Sequence, residues 1–129
     1  MSSSERAPLI LIADDDPDIL ALVGNRLARA GYEVQTAPDG SQALEMAQRR
    51  TPDLAVLDVA MPGLDGHELT RRLRAEEATR DMPIVILTAA ARERDHELSM
   101  QAGANLHIRK PFSPRQLTAE VDALLGRGS

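Results

Sequence analysis

The stretch Leu9-Ile10-Leu11-Ile12-Ala13-Asp14-Asp15-Asp16-Pro17 decides the fold of this chain. Its first five residues form a continuous apolar run, as expected for a strand that is buried on both faces. Asp16 and Pro17 then combine a helix N-cap with a proline at the first helical position. Apolar residues follow at helical spacing as far as Gly31, which is a natural C-terminal stop. The stretch therefore predicts a strand that leads directly into a helix.

The same strand-then-helix pattern recurs four more times along the chain. The further predicted strands are 32–37, 54–57, 84–87 and 106–109, and the further predicted helices are 42–50, 66–77, 92–102 and 114–125. Strict alternation of strands and helices indicates a mostly parallel sheet with helices on both faces. Five such units favour a doubly wound, flavodoxin-like α/β fold with the strand order 2-1-3-4-5.

Length and composition are typical of a single globular domain. The chain has 129 residues, 43% of them hydrophobic, which argues against disorder. We expect a domain over residues 8–126, with flexible tails at 1–7 and 127–129. The net charge of -5 and the lack of a basic stripe argue against direct binding of nucleic acid.

The sequence contains no cysteine, and its start does not resemble a secretory signal. The first residues contain no apolar core of a secretory signal, and no apolar run approaches the length of a membrane span. The absence of cysteine excludes disulfides and thiol chemistry, and it suits a reducing compartment. We therefore expect a cytoplasmic protein that does not contact a membrane.

Polar side chains follow the strands that the predicted order places side by side. Asp14 to Asp16 follow strand one, Asp58 ends strand three, Thr88 ends strand four, and Lys110 follows strand five. Lys110 is the only lysine in the chain, whose other fourteen cationic side chains are arginines. Because ligands of such sheets bind at the carboxyl ends of the strands, we expect these side chains to converge there. Asp16 is the exception, since it is expected only to cap a helix.

Carboxylates gathered in one pocket require a cation. Two like charges about 4 Å apart repel by roughly 4 kcal/mol at an effective dielectric constant near 20. Mg²⁺ prefers oxygen ligands and commonly binds through one or two carboxylates together with phosphate oxygens, and Mn²⁺ could substitute for it. An aspartate can also carry a phosphoryl group as a mixed anhydride. The pattern thus predicts phosphoryl transfer at a magnesium site, with Lys110 and Thr88 on phosphoryl oxygens.

Four motifs resemble the receiver domain of two-component response regulators. They are Leu11 to Pro17, Leu57 to Gly66, Ile86 to Ala89, and Gly103-Ala104 followed by Lys110-Pro111-Phe112. The resemblance covers the chain from Leu9 to about Leu125. It implies a signalling module, not an enzyme, that catalyses only its own phosphorylation and dephosphorylation. Asp58 would be the phosphoacceptor, and a histidine kinase or histidine phosphotransfer protein would be the donor.

The resemblance also assigns the remaining residues of the pocket. The protein ligands of Mg²⁺ would be Asp15 directly, Asp14 through water, Asp58 and the backbone carbonyl of Ala60. Thr88 and Lys110 would contact the phosphoryl oxygens. The peptide bond between Lys110 and Pro111 is expected to be cis, which is cheap for a bond that precedes proline.

Receivers of this family carry a conformational switch. Thr88 would move toward the phosphoryl group, and a ring three residues before the lysine would turn inward. His107 holds that position, where tyrosine or phenylalanine is more usual. Because imidazole can become charged near neutral pH, we predict that protonation of His107 hinders the inward turn. The face formed by helix four, strand five and helix five would pass the signal to a downstream effector.

Two residues depart from the family pattern near the pocket. Ala60 and Ala90 stand two positions after Asp58 and Thr88, where polar side chains often act on the water that attacks the acyl phosphate. Two alanines offer no such group. We therefore predict slow intrinsic dephosphorylation.

A further departure concerns self-association. Regulators with winged-helix DNA-binding domains dimerise through paired charges on helix four, strand five and helix five. Leu106 stands where the acidic partner is expected, and Glu120 stands where the basic partner is expected. That ion pair cannot form, so we predict a monomer or a weak dimer of different design.

The main alternative is a small aspartyl-phosphate hydrolase of the haloacid dehalogenase type. That family also places an aspartate, a hydroxyl residue and a lysine at strand ends, but its second aspartate is replaced here by Ala60. A dinucleotide-binding module is disfavoured because the first turn lacks a glycine-rich cradle and its acids would repel a pyrophosphate. Whether the chain is a stand-alone receiver or a segment of a longer regulator or hybrid kinase stays open.

Overall fold

The computed structural model of the chain describes residues 6–89 and 93–127, with the side chains of 93–95 left out. Within these residues, five strands alternate with five helices. The strands are β1 (Leu9–Ala13), β2 (Glu33–Ala37), β3 (Leu54–Asp58), β4 (Ile84–Thr88) and β5 (Leu106–Arg109). The helices are α1 (Pro17–Arg29), α2 (Gly40–Arg49), α3 (Gly66–Ala75), α4 (Glu93–Ala102) and α5 (Pro114–Leu124), with a short 3-10 turn at Glu77–Thr79.

All five strands pair in parallel in the order β2-β1-β3-β4-β5. The predicted fold class and strand order are thereby confirmed. Ala13 pairs with Leu57, and Thr88 pairs with Arg109, so the strands end at similar heights. This register places the residues that follow β1, β3, β4 and β5 along one edge of the sheet.

The core has two layers, one on each face of the sheet. Every residue of β1, β3 and β4 is buried, which explains why these strands read as unbroken apolar runs. On one face the strands pack against α2 and α3, chiefly through Ala43, Ala47, Leu69 and Leu73. On the other face they pack against α1 and α5, chiefly through Val23, Leu27, Leu117 and Val121.

Side-chain caps start four of the helices. The carboxylates of Asp16, Asp39 and Asp65 accept hydrogen bonds from backbone N–H groups two or three residues later, at 2.8–2.9 Å. The Ser113 hydroxyl accepts one from Gln116 at 3.3 Å. Each bond satisfies a donor that the first helical turn leaves unpaired.

Some boundaries differ from the prediction. Helix α3 ends at Ala75 instead of Glu77 because the 3-10 turn follows it, and the Thr79 hydroxyl donates to the Leu73 carbonyl at 2.5 Å. Strand β2 begins one residue later than predicted because the Tyr32 N–H donates to the Leu27 carbonyl of α1. The predicted start of helix four at residue 92, tail residues 1–5 and tail residues 128–129 lie outside the described residues.

Arg74, on the last turn of α3, fastens the amino-terminal edge of the sheet. Its Nε donates to the Gly103 carbonyl at 2.9 Å, and its Nη1 donates to carbonyls of residues 79, 80 and 82 at 2.6–3.1 Å. Its Nη2 donates to the Asn105 side chain, which also accepts from the Ile84 N–H. One guanidinium thus connects α3 with the segments that enter β4 and β5.

Candidate functional site

Asp14 anchors the site at the end of β1. Its side chain is fully buried, and its N–H donates to the Ala37 carbonyl at 3.1 Å, which extends the pairing with β2. One carboxylate oxygen accepts from the Asp16 N–H at 2.9 Å. Asp15, the next residue, is exposed. The acidic turn therefore offers one fixed, buried carboxylate and one that faces solvent.

Asp58 is the last residue of β3 and is 4% exposed. The Val59 N–H donates to the Leu87 carbonyl at 2.9 Å, so the pairing with β4 continues past Asp58. A Cβ atom on Gly66 would lie 2.4 Å from the Asp58 carbonyl oxygen. Only glycine lets α3 begin this close to the strand, and this close approach contributes to the position of Asp58.

Lys110 brings a positive charge to both buried carboxylates. Its Nζ lies 2.9 Å from Asp14 Oδ2 and 3.2 Å from Asp58 Oδ1. The Lys110 N–H donates to the Thr88 carbonyl at 2.7 Å, so the strand pairing holds the base of the side chain. The Lys110–Pro111 peptide bond is cis, as the sequence analysis predicted.

Burial and like charge act against the ionised form of Asp58. Burial and the neighbouring Asp14 carboxylate raise the pKa of Asp58 to about 6, although Lys110 lowers it in part. Burial also lowers the pKa of Lys110, but its contacts with Asp14 and Asp58 outweigh this effect and leave the pKa above its ordinary value. A single ammonium does not neutralise the carboxylates fully, so the pocket retains an attraction for a further cation.

The three carboxylates fit a hard divalent ion. Oxygen atoms of Asp14, Asp15 and Asp58 all lie within 4.8 Å of one another. Carboxylate oxygen ligands, one of them on an exposed residue, suit Mg²⁺, because this ion usually keeps several of its bound water molecules. The raised pKa of Asp58 points the same way, because a bound cation would relieve it. Ala60, whose carbonyl is the predicted fourth ligand, is exposed two residues beyond Asp58.

The two predicted switch residues occupy neighbouring strands. Thr88 is buried at the end of β4, and His107 is half-buried on β5, where it pairs with Ile86. The Nδ1 atom of His107 lies 3.0 Å from the Ser99 hydroxyl of α4. Ala90, named in the prediction of slow dephosphorylation, lies outside the described residues.

Two buried polar residues that no sequence motif marks, Ser99 and His67, meet beside His107. His67 Nε2 lies 2.8 Å from Ser99 Oγ, and both side chains are buried. Each stands on the buried side of an amphipathic helix, where an apolar residue is usual. A polar residue at a core-facing position was the available signal, since buried polar groups need partners.

A family model described as the response regulator receiver domain matches residues 10–122. This chain belongs to the response regulator receiver family. The match lies inside the predicted domain at 8–126 and spans the strands that supply Asp14, Asp58, Thr88 and Lys110. A phosphoacceptor receiver of two-component signal transduction is therefore the function class, and the comparisons lend no support to the haloacid dehalogenase alternative.

Individual relatives agree with the family match. The receiver is 45% identical over 118 residues to the alkaline phosphatase synthesis transcriptional regulatory protein PhoP of Bacillus subtilis, covering 92% of this chain and 48% of the relative. The chain thus spans about half the length of the curated relatives that it matches.

Solved structures match over nearly their whole length. A response regulator from Chloroflexus aurantiacus superposes with a TM-score of 0.89 at 36% identity, covering 94% of this chain and 99% of that one. The receiver domain of sensor histidine kinase PA1611 from Pseudomonas aeruginosa superposes with a TM-score of 0.86 at 36% identity, covering 93% and 98%. That protein holds a magnesium ion in its active-site cleft.

None of the helices in the described part of this receiver combines the length and apolar character that crossing a bilayer requires.

Proposed function

We propose that this receiver accepts a phosphoryl group on Asp58 from a histidine kinase or a histidine phosphotransfer protein. The observation that carries the proposal is the placement of the Asp58 carboxylate, buried at a strand end 3.2 Å from the Lys110 ammonium, which also contacts Asp14. Membership of the receiver family supports the same role. With a pKa of about 6, Asp58 is largely ionised at neutral pH and can act as a nucleophile.

The chemical step follows from these groups. A carboxylate oxygen of Asp58 attacks the phosphorus, and the bond from phosphorus to the donor histidine breaks with its electron pair left on nitrogen. Lys110 balances the negative charge that arrives, and the Thr88 hydroxyl donates to a phosphoryl oxygen. Such positioning and charge neutralisation are the main requirements of phosphoryl transfer.

Mg²⁺ would be held by Asp14, Asp15, Asp58 and the Ala60 carbonyl, and Mn²⁺ could take its place. When bound, the ion neutralises phosphoryl oxygens during the transfer. The mutual closeness of the three carboxylates supports this ligand set. The magnesium ion reported in the cleft of the Pseudomonas receiver is consistent with it.

The output would be a change in the face formed by α4, β5 and α5. Phosphorylation replaces the single charge of the Asp58 carboxylate with a phosphoryl group of about two negative charges, and this change of charge and size can bias a two-state element. Thr88 and His107 would carry the change from β4 to β5. If protonation of His107 hinders the inward turn, phosphorylation should activate the receiver less at pH 6 than at pH 8.

The receiver would have two kinds of partner. A kinase or phosphotransfer protein would donate the phosphoryl group to Asp58, and an effector would bind the switched face. The effector is either another protein or a further domain, since curated relatives are twice as long. We infer that the receiver itself does not bind nucleic acid, because its net charge is -5 and it has no basic stripe. We also infer a monomer or a weak dimer, because Leu106 and Glu120 cannot form an ion pair. A cytoplasmic location fits relatives that are transcriptional regulators.

Phosphorylation can be tested with acetyl phosphate as a small phosphodonor. We expect mass spectrometry to find one phosphoryl group per chain in the presence of Mg²⁺ or Mn²⁺, and none in excess chelator. The Asp58→Asn variant should stay unmodified, whereas Asp39→Asn, at the N-cap of α2, should be modified like the native chain. Modification of Asp58→Asn to the native extent would overturn the assignment. Sustained hydrolysis of a generic phosphate ester would instead indicate an enzyme.

The lifetime of the acyl phosphate gives a second test. Ala60 and Ala90 offer no polar side chain to the attacking water, so the native chain should lose its phosphoryl group slowly. The double variant Ala60→Asn, Ala90→Glu should lose it several-fold faster, as followed by mass spectrometry after removal of the donor. Equal decay rates in the two proteins would contradict this prediction.

A further inference from the structure

The loop between β3 and α3 lies directly against the first turn of α2. Gly40, the first residue of α2, is buried, and a Cβ atom there would lie 2.1 Å from the Leu64 carbonyl oxygen and 2.7 Å from the Leu64 Cβ. A Cβ atom on Gly63, the preceding loop residue, would lie 3.7 Å from the Ser41 hydroxyl of α2. The backbone of Leu64 therefore occupies the space that a side chain at position 40 would need.

The same loop is tied at its base to the end of β3. The Val59 carbonyl accepts hydrogen bonds from the Met61 N–H at 3.2 Å and from the Gly66 N–H at 3.0 Å. The first of these bonds closes a three-residue turn with Ala60 at its centre. The Met61 side chain is buried in the core layer that contains α2 and α3. Ala60 thus belongs to a short closed loop, and its position depends on how the rest of that loop is held.

A side chain at position 40 would displace either the loop or the helix. The displacement would be about 1 Å, because Cβ atoms essentially never approach other heavy atoms more closely than 3.0 Å. The helix is the harder of the two to move, since Ala43 and Ala47 pack it into the core at 0% and 2% exposure. The loop is the easier, since Pro62 and Gly63 are exposed to solvent. The loop should therefore yield first.

We infer that Gly40 is a positioning residue for the metal site, because its missing side chain lets α2 support the loop that presents the Ala60 carbonyl. The inference rests on the proposed function for the role of that carbonyl. Mg²⁺ demands near-ideal octahedral geometry, so a small displacement of one ligand lowers the affinity of the whole site. The first turn of α2 supplies none of the three carboxylates, yet it sets how well the ion is bound.

The Gly40→Ala variant tests this inference through Mg²⁺ binding, which the backbone amide signals of the ¹⁵N-labelled chain can follow during a titration. We expect the Kd for Mg²⁺ to rise about tenfold, which is typical when an outer group that orients a ligand is disturbed. Before any Mg²⁺ is added, the Ala60 amide signal should already be shifted, because the displaced loop takes this residue with it. The shift reports the position of the loop without any use of phosphorylation.

Ala47→Gly is the matched control for an α2 that is merely less stable. It lies about two turns further along the same helix and should lower the melting temperature by a few degrees, because glycine has a poorer helix propensity. Its Kd for Mg²⁺ and its Ala60 signal should stay native, since glycine adds no atom against Leu64. If Gly40→Ala melts too low for titration, the stabilising exchange Gly24→Ala can be added to every variant. A native Kd in Gly40→Ala, or an equal rise in Ala47→Gly, would overturn the inference.

Phosphorylation separates this inference from the proposed function. With acetyl phosphate as donor, Gly40→Ala should need about tenfold more Mg²⁺ than the native chain for half-maximal modification of Asp58, and saturating Mg²⁺ should restore most of the rate. If the variant needs no additional Mg²⁺, the inference is wrong and the proposed function stands. If the native chain is never modified, the proposed function fails, and the Ala60 signal of the metal-free variant still decides whether Gly40 holds the loop in place.

Discussion

At the scale of single residues, Asp58 shows what it costs to bury one carboxylate beside another. Its ordinary pKa of 3.8 rises to about 6 through burial and the charge of Asp14. The folded chain therefore binds a proton at this group more tightly than the unfolded chain does. The stability gained from that proton is fully present below about pH 4, and it is lost as the pH rises through about 6.

This dependence of stability on pH leads to a prediction for the metal-free chain. Because asparagine cannot ionise, Asp58→Asn should be more stable than the native chain at pH 8 by about 1–3 kcal/mol, on the order of the pKa shift. The advantage should shrink toward pH 4. Urea unfolding at several pH values in chelator measures it. Asp39→Asn, an exchange between two good N-cap residues, should change little at any pH. If the difference in unfolding free energy between Asp58→Asn and the native chain does not change with pH, ionisation of Asp58 is not its cause.

At the scale of elements, the contact between α3 and β3 depends on a residue without a side chain. A Cβ on Gly66 would meet backbone atoms of Asp58 and Val59 at 2.4–3.0 Å, and backbone can yield only by moving the helix. We expect Gly66→Ala to destabilise the chain by about 1–3 kcal/mol and to slow phosphorylation by displacing Asp58.

The matched control for this variant is Gly24→Ala. A Cβ on Gly24 would meet side-chain atoms of Val34 and Thr36 at ordinary distances of 3.7–3.8 Å. Alanine should therefore stabilise α1 by up to about 1 kcal/mol, through its better helix propensity. Urea unfolding and phosphorylation rates compare the pair. If the two variants have the same stability and the same phosphorylation rate, the close approach at Gly66 is not needed for either property.

Arg74 gives a second prediction at this scale. Its planar fork donates to several carbonyls at once, which a lysine ammonium on a flexible stem cannot reproduce. Arg74→Lys should cost about 2–3 kcal/mol of unfolding free energy. Arg71→Lys, in an exposed ion pair with Glu68, should cost less than about 1 kcal/mol. Equal costs in urea unfolding would argue against a special role for Arg74.

Sequence patterns predict the elements better than the contacts between them. Local chemistry is enough to start the helices, as the caps at Asp16, Asp39 and Asp65 show. The helical pattern predicts the end of α3 two residues too late, because the Thr79 hydroxyl that bonds to Leu73 acts outside that pattern. The need for glycine at position 66 depends on how closely a helix approaches a strand, which spacing along the chain does not reveal.

At the scale of the whole molecule, the strand order explains how much of the site could be predicted. Placing β1, β3, β4 and β5 side by side is enough to bring Asp14, Asp58, Thr88 and Lys110 to one edge. The contact between His67 and Ser99 could not be predicted in the same way. It joins α3 and α4, two helices whose packing is a property of the folded chain, and no motif names either residue.

Metal binding should stabilise the entire fold. A ligand that binds only the folded chain raises its stability by an amount that grows with the ratio of ligand concentration to Kd, about 2.7 kcal/mol at one hundred times Kd. Mg²⁺ should therefore raise the melting temperature of the native chain by several degrees. Asp15→Asn, which loses an exposed carboxylate of the cluster, should show a clearly smaller shift. A full-sized shift in that variant would place the ion elsewhere.

The Arg74 guanidinium has a mechanical consequence for α4. The helix ends at Ala102, and the carbonyl of the next residue, Gly103, accepts a hydrogen bond from Arg74 of α3. Asn105, two residues on, is tied both to Arg74 and to the first residue of β4. The carboxyl end of α4 is therefore held in place, and the helix can pivot about it. Any displacement of this helix should be a tilt that grows toward Glu93, and a binding partner would sense an angle and not a sliding surface.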